Sequence, residues 1–233
     1  MIGLVTGSPA TQTRHEVAAV ARRLAAEGLL IGTAGNVSAV VPGTELVAVT
    51  ATGVVLAECA PEDVSVVDRR GSFVEGELEP TSELDLHLAV LDSSGAAAVV
   101  HTHAPAATAV GCVRDSLPVL HYQQILLGGE IRVAPYATFG TPELADFVVA
   151  ALRDRSAALM ANHGTVTHGS SLAQAVDNAL LLEWCCRLFL DATALRAPRT
   201  LDECQQIAVI EAAIARNYGS THRATGDTET EER

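Results

Sequence analysis

Four short apolar runs, at residues 37–41, 46–50, 64–67 and 72–74, follow one another in the first third of the chain. Turn-forming residues separate them: Pro42-Gly43, Ala51-Thr52-Gly53 and Arg70-Gly71. Such turns reverse the backbone, and strands joined by a tight reversal pair antiparallel. The pattern predicts an antiparallel sheet.

Helical spacing surrounds these runs. Val17, Val20, Ala21 and Leu24 share one face of a helix expected over 12–27, with Gly28 placed to end it. Pro80-Thr81-Ser82-Glu83 opens a helix expected to run through Leu91, and residues 96–103 read as a buried strand that leads into a helix at 104–110. Further strands are expected at 131–133, 157–160 and 165–168, and further helices at 142–153, 171–195 and 201–217. The sum is an α/β fold, a single layered domain with a central, mainly antiparallel sheet flanked by helices. Residues 1–220 form that domain in this reading. Residues 221–233 are polar and acidic and are expected to be a disordered tail.

Composition matters here for what it removes. All fifteen basic residues are arginine. Without a lysine there is no Schiff-base chemistry, no pyridoxal phosphate attachment and no P-loop lysine. A net charge of −13 argues against nucleic acid as a partner. No run approaches the eighteen or so apolar residues of a membrane span, and residues 1–10 lack the pattern of a secretory signal, so a cytoplasmic protein with no membrane partner is expected. Cys59, Cys112, Cys185, Cys186 and Cys204 lack Cys-x-x-Cys spacing and are read as reduced, mainly core-filling thiols.

His101-Thr102-His103 ends an apolar run, and alternate side chains of a strand share a face, so both imidazoles can approach one ion. Asn162-His163-Gly164 supplies a third imidazole, with a glycine behind it that permits close backbone approach. Three histidines and an open position make a catalytic zinc inventory. Glu83, at a helix start, is placed either to move a proton beside a metal or to favour the helix dipole. Asn36, Thr52, Gly53, Thr81 and Ser82 are small neutral groups suited to gripping phosphate, though turn formation and capping explain each singly.

Taken together, Gly35-Asn36-Val37-Ser38, Thr50-Ala51-Thr52-Gly53, Pro80-Thr81-Ser82-Glu83, His101-Thr102-His103, His121-Tyr122, the stretch from Ala134 through Phe139 to Gly140, and Asn162-His163-Gly164 resemble, in order, the class II aldolase and adducin family. The likeness is greatest to its L-fuculose-1-phosphate aldolase branch. It implies zinc held by His101, His103 and His163, a phosphate grip formed by Asn36, Thr52, Gly53, Thr81 and Ser82, and Glu83 as the catalytic carboxylate. It also implies a four-fold symmetric homotetramer in which Tyr122 reaches the active site of a neighbouring subunit. Phe139, in its matching segment, and Tyr218, near the C-terminus, are carried over as substrate-binding residues, Tyr218 closing over the aldehyde part.

The implied reaction cleaves a ketose 1-phosphate, such as L-fuculose 1-phosphate or a 5-deoxy or 5-substituted relative, into dihydroxyacetone phosphate and an aldehyde. Epimerisation, dehydration or decarboxylation on the same framework is the nearest rival, and a non-catalytic adducin-like module is a rival of another class. An aspartate at position 83 would be typical of the epimerase branch; glutamate stands there. Three departures from the pattern are Ala51 for a proline, Thr81 for a serine, and Ala215 for an aromatic residue near the substrate tail. His15, His87, His121 and His168 are read as structural or surface residues.

Overall fold

A computed structural model describes residues 7–218. The tail expected over 221–233 lies outside the described residues. Ser8 caps the first helix through its Oγ, which accepts from the Thr11 amide, and Pro9 fits the first turn, where its missing N–H costs nothing. Helix α1 (Pro9–Ala26) therefore starts earlier than periodicity alone placed it.

Nine strands form one sheet: β1 (Asn36–Val40), β2 (Val47–Thr50), β3 (Val64–Val67), β4 (Phe73–Glu75), β5 (Ala98–Thr102), β6 (Ser116–Leu117), β7 (Ile131–Ala134), β8 (Ala157–Met160) and β9 (Thr165–Gly169). Their order is β4-β3-β2-β1-β5-β9-β8-β7-β6. Every neighbouring pair is antiparallel except β7 with β8. Between β7 and β8 runs α4 (Pro142–Ala151), the crossover that a parallel pair requires.

The remaining helices are α2 (Leu84–Ser94), α3 (Pro105–Gly111), α5 (Leu172–Leu195) and α6 (Glu203–Ala215). Strand alternation sends Val37, Ala39, Ala98 and Val100 into a core shared with α1, α3 and α5. Val47, Val99, Ala158 and Met160 turn to the opposite face, against α2 and α4. A sheet covered on both faces has two cores, and the layered expectation holds. Helix α6 belongs to neither core and has no buried residue.

The bounds differ from the sequence reading where side chains redirect the backbone. Ala51 bridges Pro80 and the Thr81 amide donates to the Thr50 carbonyl, so residues 80–81 stay beside β2, residues 82–83 turn, and α2 begins only at Leu84. Two short 3₁₀ turns, Leu56–Glu58 and Pro61–Asp63, and a longer one, Tyr122–Leu127, fill connections that periodicity left blank. Strand β6 has only two residues, too few to show alternation. All five cysteines are free thiols; Cys59, Cys185 and Cys186 are buried and Cys112 and Cys204 exposed. Among the described residues no helix is long and apolar enough to cross a membrane.

Candidate metal centre and active site

The register of β1 against β5 sets Asn36 opposite His101. Both side chains leave the sheet on the α2 side, and α2 starts there, bringing Glu83 between them. Glu83 Oε2 lies 3.1 Å from His101 Nε2, and Oε1 lies 3.5 Å from His163 Nε2. His103 Nε2 is 3.0 Å from His101 Nε2. The ligand atoms of His101, His103 and His163 all fall within 4.8 Å of one another, and the three could hold a metal ion.

Local backbone geometry explains the convergence. His101 is wholly buried on β5, and its Nδ1 donates to the Thr165 carbonyl on β9 at 2.8 Å, which turns Nε2 towards the cluster. Asn162 adopts a left-handed φ of 55°, a conformation asparagine tolerates, and so reverses the chain just before His163. Gly164 then passes so close that a Cβ would strike the Thr102 carbonyl and press to 3.3 Å on the rings of both His101 and His103. The glycine is required by approach.

The donor set suits a cation. With Nδ1 of His101 committed, its Nε2 either carries a second proton paired with Glu83 or offers a lone pair. Burial pushes His103 down to about 4, with the charges of His101 and His163 adding to the effect. Burial also lowers His163, again with help from His101. Neutral imidazoles are the form that ligates. Burial works against ionisation of Glu83, yet His101, Asn36 and His163 together hold its carboxyl below the usual carboxylate range. Glu83 Oε1 is buried with no hydrogen-bond partner, an orphaned acceptor facing the histidines.

Glu83 occupies the N-cap position of α2 but makes no side-chain cap bond. Its carboxylate is turned to the histidines and to Asn36, whose Nδ2 donates to Oε2 at 2.9 Å and to Thr81 Oγ1 at 3.0 Å. The Glu83 amide also donates to Thr81 Oγ1, at 3.3 Å. Thr52 and Gly53 sit beside this group because the Thr52 amide donates to the Glu79 carbonyl and the Thr81 amide to the Thr50 carbonyl. Ser82 is exposed at the start of α2. Gly140, with φ 70°, packs so that a Cβ would meet the Ser82 carbonyl at 2.7 Å, which sets exposed Phe139 near the same helix start.

Tyr122 and Tyr218 stand apart. Their hydroxyls are 3.2 Å from each other, and the hydrogen bond joins the 3₁₀ turn to the end of α6. Among the described residues neither hydroxyl bonds to Glu83 or to a histidine. Tyr218 follows Asn217, whose φ of 47° is left-handed; the Tyr218 amide donates to the Ala213 carbonyl and the Asn217 amide to that of Ile214. These paired bonds are a Schellman ending, with asparagine in the usual glycine position.

Residues 15–190 match the family described as Class II Aldolase and Adducin N-terminal domain. The chain belongs to the class II aldolase and adducin family. A 5-deoxy-D-ribulose 1-phosphate aldolase of Bacillus thuringiensis serovar kurstaki is 35% identical over 191 residues, covering 82% of this chain and 90% of that one. An L-fuculose phosphate aldolase of Escherichia coli K12 is 38% identical over 185 residues, covering 78% and 85%. A solved L-fuculose 1-phosphate aldolase superposes with a TM-score of 0.83 at 32% identity, over 86% of this chain and 95% of that one. Class II aldolases are metal-dependent, and the chain is a class II aldolase by descent.

Sequence reasoning missed the layer behind the site. His87, read as structural or surface, is wholly buried and bonds to Asn36 Oδ1 and to Ser38 Oγ. The available signal was its position four residues after Glu83 on one helix.

Proposed function

We propose that this chain is a zinc-dependent aldolase that reversibly cleaves a 5-deoxy or 5-substituted ketose 1-phosphate into dihydroxyacetone phosphate and an aldehyde. The observation that carries this reading is the convergence of three imidazoles and one buried, partly unpartnered carboxylate beside a cluster of small hydroxyl and amide donors. Three nitrogen ligands with positions left for oxygen suit zinc, which His101, His103 and His163 would hold.

When bound, the cation would polarise the substrate carbonyl and make the neighbouring C–H acidic, the task an iminium would perform in an enzyme with a catalytic lysine. In the synthetic direction the Glu83 carboxylate takes the proton from the carbon of dihydroxyacetone phosphate that becomes C3. That carbon then attacks the aldehyde, forming the C3–C4 bond. Tyr122 of a neighbouring subunit gives a proton to the aldehyde oxygen, and the cleavage direction reverses each step.

Thr52, Gly53, Thr81 and Ser82 grip the phosphate in this reading. Thr81 Oγ1 accepts from the Asn36 side chain and the Glu83 amide, which leaves its own proton to offer a ligand. Asn36 directs both amide protons inward, so it reaches phosphate only by giving up one of those bonds. Phe139 and Tyr218 flank the substrate tail. The exposed Tyr122 and the apolar Leu126, Ile210 and Ile214 beside it support a homotetramer with active sites between subunits. A single catalytic domain over 1–220 acting in the cytoplasm completes the proposal.

The names of the relatives support a ketose 1-phosphate, and Ala215 supports a tail larger than methyl. The test is a panel of 5-deoxy, 5-methylthio and larger 5-substituted ketose 1-phosphates, with L-fuculose 1-phosphate, assayed for release of dihydroxyacetone phosphate. Turnover is expected for several tails. Conversion of substrate without that product, or a sharp preference for L-fuculose 1-phosphate over every larger analogue, would overturn the corresponding part of the reading.

A further inference from the structure

Behind Glu83 lies a chain of buried polar groups whose donor and acceptor roles can be worked out one link at a time. An ionised carboxylate only accepts, so the group of Asn36 that faces Glu83 Oε2 has to be its NH₂. The Asn36 Oδ1 then points the other way, to His87 Nε2. A carbonyl oxygen only accepts, so His87 Nε2 carries the ring proton. Burial pushes His87 down to about 3, with the His101 charge adding to it, so the ring is neutral and its Nδ1 is bare. That nitrogen accepts from Ser38 Oγ at 2.7 Å.

The four groups come from two elements of the fold. Ser38 and Asn36 are two apart on β1 and share its α2-facing side. His87 and Glu83 are four apart and share one face of the α2 start. The imidazole therefore spans two consecutive same-face residues of β1, while the second of these grips the carboxylate that begins the helix. A flipped Asn36 amide would set Oδ1 against the Glu83 carboxylate, so the carboxylate fixes which way the amide faces. In that orientation His87 supplies the N–H that satisfies the buried Asn36 Oδ1, and Ser38 holds the imidazole in place.

We propose that His87 is a positioning residue for Glu83, acting through the Asn36 side chain and anchored by Ser38. The proposal rests on the aldolase reading for its kinetic consequences but not for its structural core. Because, among the described residues, the imidazole makes no hydrogen bond to the histidine cluster or to the phosphate-side hydroxyls, its loss should slow proton transfer while leaving metal content and substrate affinity nearly unchanged.

The structural core is read first, on the purified metal-loaded protein without substrate, by ¹⁵N–¹H correlation of the histidine rings. His87 is expected as the neutral Nε2–H form, and its signal should move in Asn36→Ala. A neutral Nδ1–H ring, or a doubly protonated one at neutral pH, would overturn the proposal whatever the substrate proves to be. Kinetics follow. His87→Phe keeps ring volume without either nitrogen and should lower kcat by about 10–100-fold, the usual range for a group supporting a metal-site residue. KM and bound metal should change by less than about twofold. His87→Gln returns an N–H near the Nε2 position and should recover most of the loss, whereas His87→Asn, which is too short to reach Asn36, should not. The double variant Asn36→Ala with His87→Phe should be no slower than Asn36→Ala alone, as expected for two residues on one path. Equal kcat in the Gln and Asn variants overturns the proposal even if the Phe variant fails to fold. So does a multiplicative loss in the double variant, or a loss that tracks bound metal.

Discussion

Glu83 and the three histidines stand on strand ends and a helix start between two cores, while Tyr122 and Tyr218 stand on a 3₁₀ turn and beyond a helix with no buried residue. Around Glu83 nearly every polar atom has a partner within the chain, and Glu83 Oε1 is the exception. Around Tyr122, 42% exposed, the hydroxyl has only another exposed tyrosine. In the first region the three histidines, Glu83 and Asn36 all come from one chain. The second is exposed and bordered by the apolar Leu126, Ile210 and Ile214. In the aldolase we propose, proton transfer by Glu83 rests on the sheet and proton transfer by Tyr122 on the periphery.

The sharpest break in that comparison would come from the histidines. His103→Ala should abolish bound metal and lower turnover by about 10⁴-fold or more, as loss of a metal ligand removes the carbonyl polarisation altogether. Elemental analysis beside the aldol assay checks it, and stoichiometric metal in an inactive variant would contradict the ligand role. Glu83→Gln should keep the metal and the fold yet lose on the order of 10² to 10⁴ in kcat. Exchange of the dihydroxyacetone phosphate proton with solvent should fall in parallel, and wild-type exchange would refute proton transfer by Glu83.

Tyr122→Phe tests the second region. Its kcat should fall by about 10²-fold, and co-assembly with inactive His103→Ala should restore activity where an intact cluster meets an intact tyrosine. If Tyr122 served its own chain, no mixed oligomer would recover. The smallest effect is expected at Ala215, exposed on α6. Ala215→Phe should change preference among 5-substituted substrates by roughly ten- to a hundredfold, the range that one filled apolar pocket can supply, with little change for the smallest tail. Unchanged ratios would remove α6 from the substrate's surroundings.

The same division governs what the sequence made legible. His101-Thr102-His103 was readable because strand alternation is local, and His163-Gly164 because a glycine after a strand signals close approach. The first four strands were readable because turn residues follow the apolar runs, although β2 and β3 are joined by a long connection with two 3₁₀ turns and not by a tight reversal. His87 was not: its partners Ser38 and Asn36 are 49 and 51 residues away, and only the β1–α2 packing joins them. Its place four residues after Glu83 puts both on one helix face, but the amide of Asn36 stands between them. The late start of α2 was hidden for a similar reason, since the bridge from Ala51 to Pro80 is a tertiary contact. The parallel pairing of β7 with β8 likewise depends on a crossover whose endpoint periodicity does not reveal.

The register of β1 against β5 carries a last consequence. Asn36 faces His101 across a single rung, and Ser38 faces Val99 two residues on. A slip of one residue would invert the faces, setting Val37 over the histidines and sending Asn36 and Ser38 into the opposite hydrocarbon layer. The amide, the imidazole behind it and the carboxylate would all lose their places together. In the aldolase we propose, turnover therefore reports strand alignment, because one slipped rung displaces Asn36, His87 and Glu83 together.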